Sequence, residues 1–223
     1  MKPILVIPAY NVNSLDELVN RILDYYSEDI IIVDDGSNPC LSLDNLDNNN
    51  KITLLTNYKN MGKGYSLKKA LSYISSRNYT HAITLDADFQ HDPKHLLQFI
   101  NVDEDIDIII GMRSFTSEMP IHRRLSNYLT SKIISIRCKR IIYDSQSGYR
   151  RYKLSSILDN SYNEDGFQFE TEILIKILSK KHHSIDYIPI ETIYGSESSS
   201  IRNIRDTLKF IKLILRSLFW RIN

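Results

Sequence analysis

The chain has 223 residues, 42% of them hydrophobic and 25% charged, with a formal net charge of +1. That length can bury a proper core, and the composition is that of a folded domain rather than a disordered or fibrous chain. Cys40 and Cys138 stand far apart with no C-x-x-C spacing, which excludes a disulfide framework or zinc site.

The charge is uneven along the chain. Residues 1–118 hold 10 Lys and Arg against 17 Asp and Glu, and residues 119–223 hold 18 against 10. An acidic half suits a metal ion and a basic half suits anions; surface charge that merely fell unevenly is the plainer alternative. The start, Met-Lys-Pro followed by four apolar residues, is too short for a signal peptide. No run reaches the ~18 apolar residues that cross a bilayer. A cytoplasmic protein, or one attached to a membrane from the cytosolic side, is expected.

Taken in order, Ile4–Ile7 reads as a buried strand. Ser14 stands where a helix N-cap belongs, with Glu17 at the capping-box position and Leu15, Leu18, Val19, Ile22 and Leu23 at helical spacing. Ile30–Val33 is a second strand and Ser37–Asn50 a polar loop. Ile52–Leu55 is a third strand, and a helix follows from Gly62 to Tyr73. Ala82–Leu85 is a fourth strand, a short helix begins at Pro93, and Ile106–Ile110 is a fifth strand. Strands separated by helix-length connections predict a parallel sheet with helices on both faces.

The second half is less regular. Residues 121–142 form a basic, apolar helix candidate without an acid, followed by a loop from Asp144 to Arg150. Phe169 to Leu178 reads as a helix, Ile185–Ile190 as a strand, and Ile201 to Ile222 as a closing helix. That last segment carries six Arg and Lys against one acid, Asp206, with aromatics near its end. A membrane-surface helix has this character, and a helix packed on the sheet explains Leu208 to Leu215 equally well. No aromatic-stacking or groove-reading motif accompanies the basic stretches, so nucleic acid is not an expected partner.

Three of the strands end in polar loops, the place where ligands bind in an open parallel sheet. The first ends in Pro8-Ala9-Tyr10, the second in Asp34-Asp35-Gly36-Ser37, and the fourth in Asp86-Ala87-Asp88-Phe89-Gln90-His91. Asp86 and Asp88 at i, i+2 offer hard oxygen ligands for Mg²⁺ or Mn²⁺ shared with a substrate's phosphates. Aspartates after a strand also serve as plain turn residues. Asn60-Met61-Gly62-Lys63-Gly64 is not a Walker loop, yet glycines opening a helix can offer N–H groups to an anion, with Lys63 as a point charge. In the Asp144–Arg150 loop, Ser147 and Arg150 could hold a phosphate.

These motifs, in this order, closely resemble the family 2 glycosyltransferases of the GT-A fold, in particular the dolichol-phosphate mannosyltransferase-like, polyprenyl-phosphate group. The resemblance extends through Phe169-Glu170-Thr171-Glu172 and Pro189-Ile190 to Tyr194, almost the whole chain. It implies an α/β, Rossmann-like GT-A fold, with a mostly parallel sheet flanked by helices in one domain over 1–223. Residues 1–118 would hold nucleotide sugar and metal, and residues 119–223 the acceptor. Pro8, Ala9, Tyr10, Asp35, Lys63 and Asp86 would contact the nucleotide. Asp86, Asp88 and Gln90 would hold Mg²⁺ or Mn²⁺, and Arg123, Arg124, Ser147 and Arg150 the acceptor phosphate. Where the family often has Glu after its Tyr-Asn pair, this chain has Val12.

The implied reaction moves a hexose from a UDP- or GDP-linked donor to a polyprenyl or dolichyl phosphate, with inversion and peripheral membrane contact. Asp88 and Asp144 are the expected catalytic residues. A phosphate dianion is itself a competent nucleophile near neutral pH; a sugar hydroxyl acceptor would need a base, for which Asp144 and Glu170 are the candidates. Transfer to a glycan hydroxyl is the alternative. A sugar nucleotidyltransferase is disfavoured because Pro8 to Ser14 contains neither Gly nor Arg, and a decayed binding module because Asp86, Asp88 and Gln90 are all present.

Overall fold

The computed structural model describes residues 1–44, 46, 50–113, 121–191, 193 and 203–220. Burial runs almost without break through β1 (Pro3–Ala9) and β2 (Ile30–Asp34), because each strand has packed neighbours on both faces. Ile4 and Val6 of β1 join one core with Ile31 and Val33, while Leu5 and Ile7 join the other with Ile30 and Ile32. The alternation of side chains about a pleated strand thus divides one apolar run between two cores.

Between these strands lies α1 (Leu15–Leu23), which buries Leu15, Leu18, Val19 and Ile22. The expected capping box at its start does not form: the Ser14 side chain makes no capping hydrogen bond. β3 (Ile52–Thr56) is a half-buried edge strand, and α2 (Lys63–Ser75) turns its Leu67, Ala70 and Ile74 into the core. After β4 (His81–Thr84), Asp92 caps a single 3-10 turn at Pro93–His95, which runs into α3 (Leu96–Asn101). β5 (Ile108–Arg113), α4 (Ile121–Cys138), β6 (Arg150–Lys153), α5 (Leu154–Ile157), α6 (Gln168–Leu178), β7 (Ile185–Ile190) and α7 (Asn203–Ser217) complete the described residues. Tyr194, Ile201 and Ile222, at the ends of expected segments, lie outside them.

The strands form one seven-stranded sheet in the order β3-β2-β1-β4-β6-β5-β7. All neighbours are parallel except β6, which runs antiparallel between β4 and β5. Residues expected to lie in a loop and its exit thus make a central strand. Two arginines begin it, and both are fully buried. Arg151 donates to the Phe99 and Val102 carbonyls at 2.9 Å each, and to the Asp103 carbonyl, so it caps the end of α3. These carbonyl dipoles offset much of the cost of burying its charge, while its Nε stays without a hydrogen-bond partner. The reversed direction of β6 has one consequence for the site: its entry loop approaches from the edge where β4 and β5 end.

Candidate active site

The loops after β1 and β2 are latched together. Asn11, at φ 51, takes a left-handed conformation that Asn tolerates. Its N–H donates to the Ser37 hydroxyl at 2.9 Å, and its side-chain oxygen accepts from Asn38 N–H at 3.0 Å. Asp34 folds the second loop by accepting from Ser37 N–H at 2.8 Å and Leu41 N–H at 3.1 Å. Along this wall Ala9 is buried, Pro8 is half-buried and Tyr10 is exposed.

Asp35 builds the next wall. One of its oxygens accepts from Asn57 at 2.8 Å and Met61 N–H at 2.9 Å, the other from Gly62 N–H at 2.8 Å. Three donors on a carboxylate with about four lone-pair sites leave little capacity for a further partner. Asp35 therefore fixes the start of α2, and with it Lys63.

Lys63 reaches into the crevice and joins two carboxylates, Asp86 at 2.6 Å and Glu170 of α6 at 3.0 Å. Burial opposes its charge, but the two carboxylates outweigh that and hold its pKa above the usual lysine value. Burial likewise opposes ionisation of Asp86, and the Lys63 ammonium outweighs it, so its pKa is lowered. Asp88 behaves in the opposite way: burial first, then the Asp86 charge, push its pKa up to about 6. One Asp88 oxygen accepts from Gln90 N–H at 3.1 Å, and the Gln90 carbonyl accepts from Ile193 N–H at 2.9 Å.

The entry loop of β6 closes against these groups. Thr84 of β4 donates to the Gly148 carbonyl at 2.8 Å. A Cβ on Gly148 would lie 2.2 Å from an Asp86 oxygen and 2.7 Å from the Lys63 nitrogen, so only glycine fits. His91 is buried beneath, its Nδ1 without a hydrogen-bond partner, and burial lowers its pKa to about 4.

Three expected site residues take other duties. Asp144 is fully buried and accepts from Arg113 through two guanidinium nitrogens at 2.8 and 2.9 Å, and from Asn127 at 2.9 Å. Gln146 and Ser147 N–H groups donate to it as well, at 3.2 and 3.1 Å. Burial opposes its charge, the Arg113 hydrogen bonds prevail, and its pKa is lowered. A carboxylate so enclosed and so acidic is a poor proton acceptor, which corrects the expectation of Asp144 as a catalytic base. Arg150 is also fully buried, donating to the carbonyls of Ser147 at 2.6 Å, Ser145 at 2.7 Å and Glu170 at 3.1 Å. It holds the loop's backbone and has no surface to offer an acceptor phosphate. Ser147 is fully buried, its hydroxyl without a partner, and is equally out of reach of an acceptor. Arg124 is exposed and Arg123 half-exposed, both in the first turns of α4.

Asp86 and Asp88 suit a hard divalent cation, and the Lys63 ammonium on Asp86 marks the spot as one that favours positive charge. Among the described residues no group of three or more His, Cys, Asp or Glu could hold a metal. The pair alone leaves positions on a metal for other oxygens, such as those of Gln90, solvent or a phosphate. Arg113 and the Lys63–Glu170 pair are site features that the sequence reading did not assemble; Arg113, a cation at a strand end, carried the same positional signal as the aspartates.

A seven-stranded 3-2-1-4-6-5-7 sheet, mostly parallel and flanked by helices, is the architecture of the GT-A glycosyltransferases. Residues 4–161 match the model of glycosyl transferase family 2, and the chain belongs to that family. It is 28% identical over 217 residues to the UDP-N-acetylglucosamine–dolichyl-phosphate N-acetylglucosaminyltransferase of Methanococcus voltae, covering 87% of this chain and 86% of that one. It is 24% identical over 189 residues to the undecaprenyl-phosphate mannosyltransferase of Micrococcus luteus, covering 79% and 77%. In fold it is similar to glucosyl-3-phosphoglycerate synthase from Mycobacterium tuberculosis, solved with Mn²⁺, UDP and phosphoglyceric acid. The TM-score is 0.69 at 11% identity, over 99% of this chain and 79% of that one. The chain is thus a hexosyltransferase, and it resembles the polyprenyl-phosphate group within its family.

Proposed function

We propose that the protein transfers a hexose from a nucleoside diphosphate sugar to a polyprenyl phosphate, with inversion, at the cytosolic face of a membrane. One observation carries this reading: Asp86 and Asp88 stand at the open end of β4, with no third His, Cys, Asp or Glu grouped with them for a metal among the described residues, beside a lysine already paired to Asp86. Such a pair leaves coordination positions that diphosphate oxygens can fill. Mg²⁺ or Mn²⁺ bound there supplies charge neutralisation to the departing nucleoside diphosphate. Pro8, Ala9 and Tyr10 form the wall for the nucleoside, Asp35 sets the position of Lys63, and Lys63 holds Asp86 ionised. Gln90 serves the metal position with the two aspartates. Arg123 and Arg124 remain as the cations for the acceptor phosphate.

The acceptor class follows from the bases. Asp144 is enclosed by Arg113, and Glu170 is paired with Lys63. With both committed, an acceptor that brings its own nucleophilic oxygen is favoured, and positioning with charge stabilisation does the rest. The homologues acting on dolichyl and undecaprenyl phosphates support the same choice.

The deciding assay incubates the protein and Mn²⁺ with UDP- and GDP-linked sugars and either polyprenyl phosphate or free glycan acceptors. Glycosyl lipid product from polyprenyl phosphate alone is expected. Asp88→Asn should lower its formation on the order of 10²-fold or more, with an unchanged melting temperature. Turnover on glycan hydroxyls only would overturn the acceptor assignment.

A further inference from the structure

We propose that the outward faces of α4 and α7 form one docking surface for an anionic lipid bilayer. α7 carries apolar residues on two sides. Leu213 and Ser217 are buried, and Phe210, Ile214 and Trp220 pack against the core. Leu208, Ile211 and Leu215 point the other way, 47–63% exposed, and Leu218 and Phe219 just beyond the helix continue that stripe. A helix that served only the core would present polar residues there. α4 repeats the pattern: Ile134 and Cys138 are buried, whereas Ile121, Leu125, Leu129, Ile133 and Ile136 are exposed.

The two helices that carry these stripes are neighbours. Both helices pack on α6, and Arg137 of α4 donates to the Ser217 hydroxyl at the end of α7 at 3.0 Å and to its carbonyl. Apolar surface on this scale marks an interaction site rather than ordinary exposure.

Charge identifies the occupant. Exposed Arg124, Lys132, Arg205, Lys209 and Lys212 border the stripes. α4 contains no acid, and the single acid of α7, Asp206, is half-buried. Apolar residues flanked by cations match an anionic membrane interface, where each Lys or Arg near the surface adds attraction. A second copy of the chain, meeting this face with its own, would set these cations against themselves. α4 also begins beside the crevice, since its Asn127 donates to Asp144. Docking would therefore bring the crevice to the bilayer. The inference rests on the proposed membrane location and not on the acceptor chemistry.

The test is co-sedimentation of the full chain with phosphatidylcholine vesicles, with and without phosphatidylglycerol and free of polyprenyl phosphate. Binding to the anionic vesicles is expected. Leu129→Glu/Leu215→Glu should reduce it on the order of tenfold or more while its melting temperature and its turnover of a water-soluble, short-chain isoprenyl phosphate stay as in the parent. Lys209→Glu/Lys212→Glu should remove the preference for anionic lipid. Absence of vesicle binding, or binding indifferent to both variants, overturns the proposal. So does a solution dimer that Leu129→Glu/Leu215→Glu converts to monomers without vesicle binding ever being seen. Failure here with soluble turnover intact leaves the proposed reaction standing.

Discussion

Two aspartates two residues apart are driven to opposite protonation behaviour by their neighbours. Asp86 has Lys63 at 2.6 Å and stays ionised; Asp88 has burial and the Asp86 charge against it, and its pKa rises to about 6. A cation-binding carboxylate must be ionised, so Mn²⁺ affinity should fall as pH drops through about 6, and Asp88→Asn should flatten that dependence. Calorimetric titration between pH 5 and pH 7.5 (on the order of one unit to either side of the transition) reads it directly. Asp144 has the reverse sign. Its pKa is lowered in the folded chain, so the stability it contributes is present above the ordinary carboxylate value of about 4 and lost as pH falls below it. Asp144→Asn removes the charge paired with Arg113 inside the protein and should cost about 3 kcal/mol at neutral pH. Acid melting curves of parent and variant should converge as pH falls. Parallel curves would mean that the pair contributes no linked stability.

At the level of elements, the sequence made some features plain and hid others for physical reasons. Buried parallel strands are continuous apolar runs, so β1, β2, β4 and β5 could be read directly, and with them the carboxylates at the ends of β2 and β4. β6 could not, because Arg150-Arg151-Tyr152-Lys153 has no strand-like pattern. Its arginines are satisfied by carbonyls of distant segments, which no local signal encodes. The same error moved Arg150 into the acceptor site, since a loop arginine reads as free. The Ser14 cap failed for a milder reason: residue type permits a cap, but backbone geometry decides it. The antiparallel entry of β6 also brings Gly148 against Asp86, which yields a sharp prediction. Gly148→Ala would place its Cβ 2.2 Å from an Asp86 oxygen, so it should displace that carboxylate, lower kcat/KM on the order of tenfold or more and destabilise by about 1–3 kcal/mol. Gly166→Ala meets the ends of two flexible side chains, Gln168 at 2.9 Å and Lys209 at 3.7 Å, and should be nearly silent in both assays.

Across the whole molecule, one sheet takes strands from both the acidic and the basic part of the chain and sets their groups on a common frame. On the proposed reading of the site, metal and nucleotide binding should be interdependent. The protein offers the cation two carboxylates, one already paired with Lys63, with Gln90 beside them, and a diphosphate would bring further oxygens. Mn²⁺ alone should therefore bind weakly, and nucleotide alone should meet repulsion from Asp88 and from Asp86, whose charge Lys63 offsets only in part. Each should tighten the other by the same factor, because coupling free energy is reciprocal. Ligands confined to the folded state raise the melting temperature by mass action. In thermal unfolding, UDP or GDP together with Mn²⁺ should thus raise the midpoint by more than the sum of the separate increments. Asp88→Asn should reduce the joint increment to that sum. Strictly additive shifts in the parent protein would mean that the cation finds its ligands without the diphosphate, and the two aspartates would then lose their assigned place in the reaction.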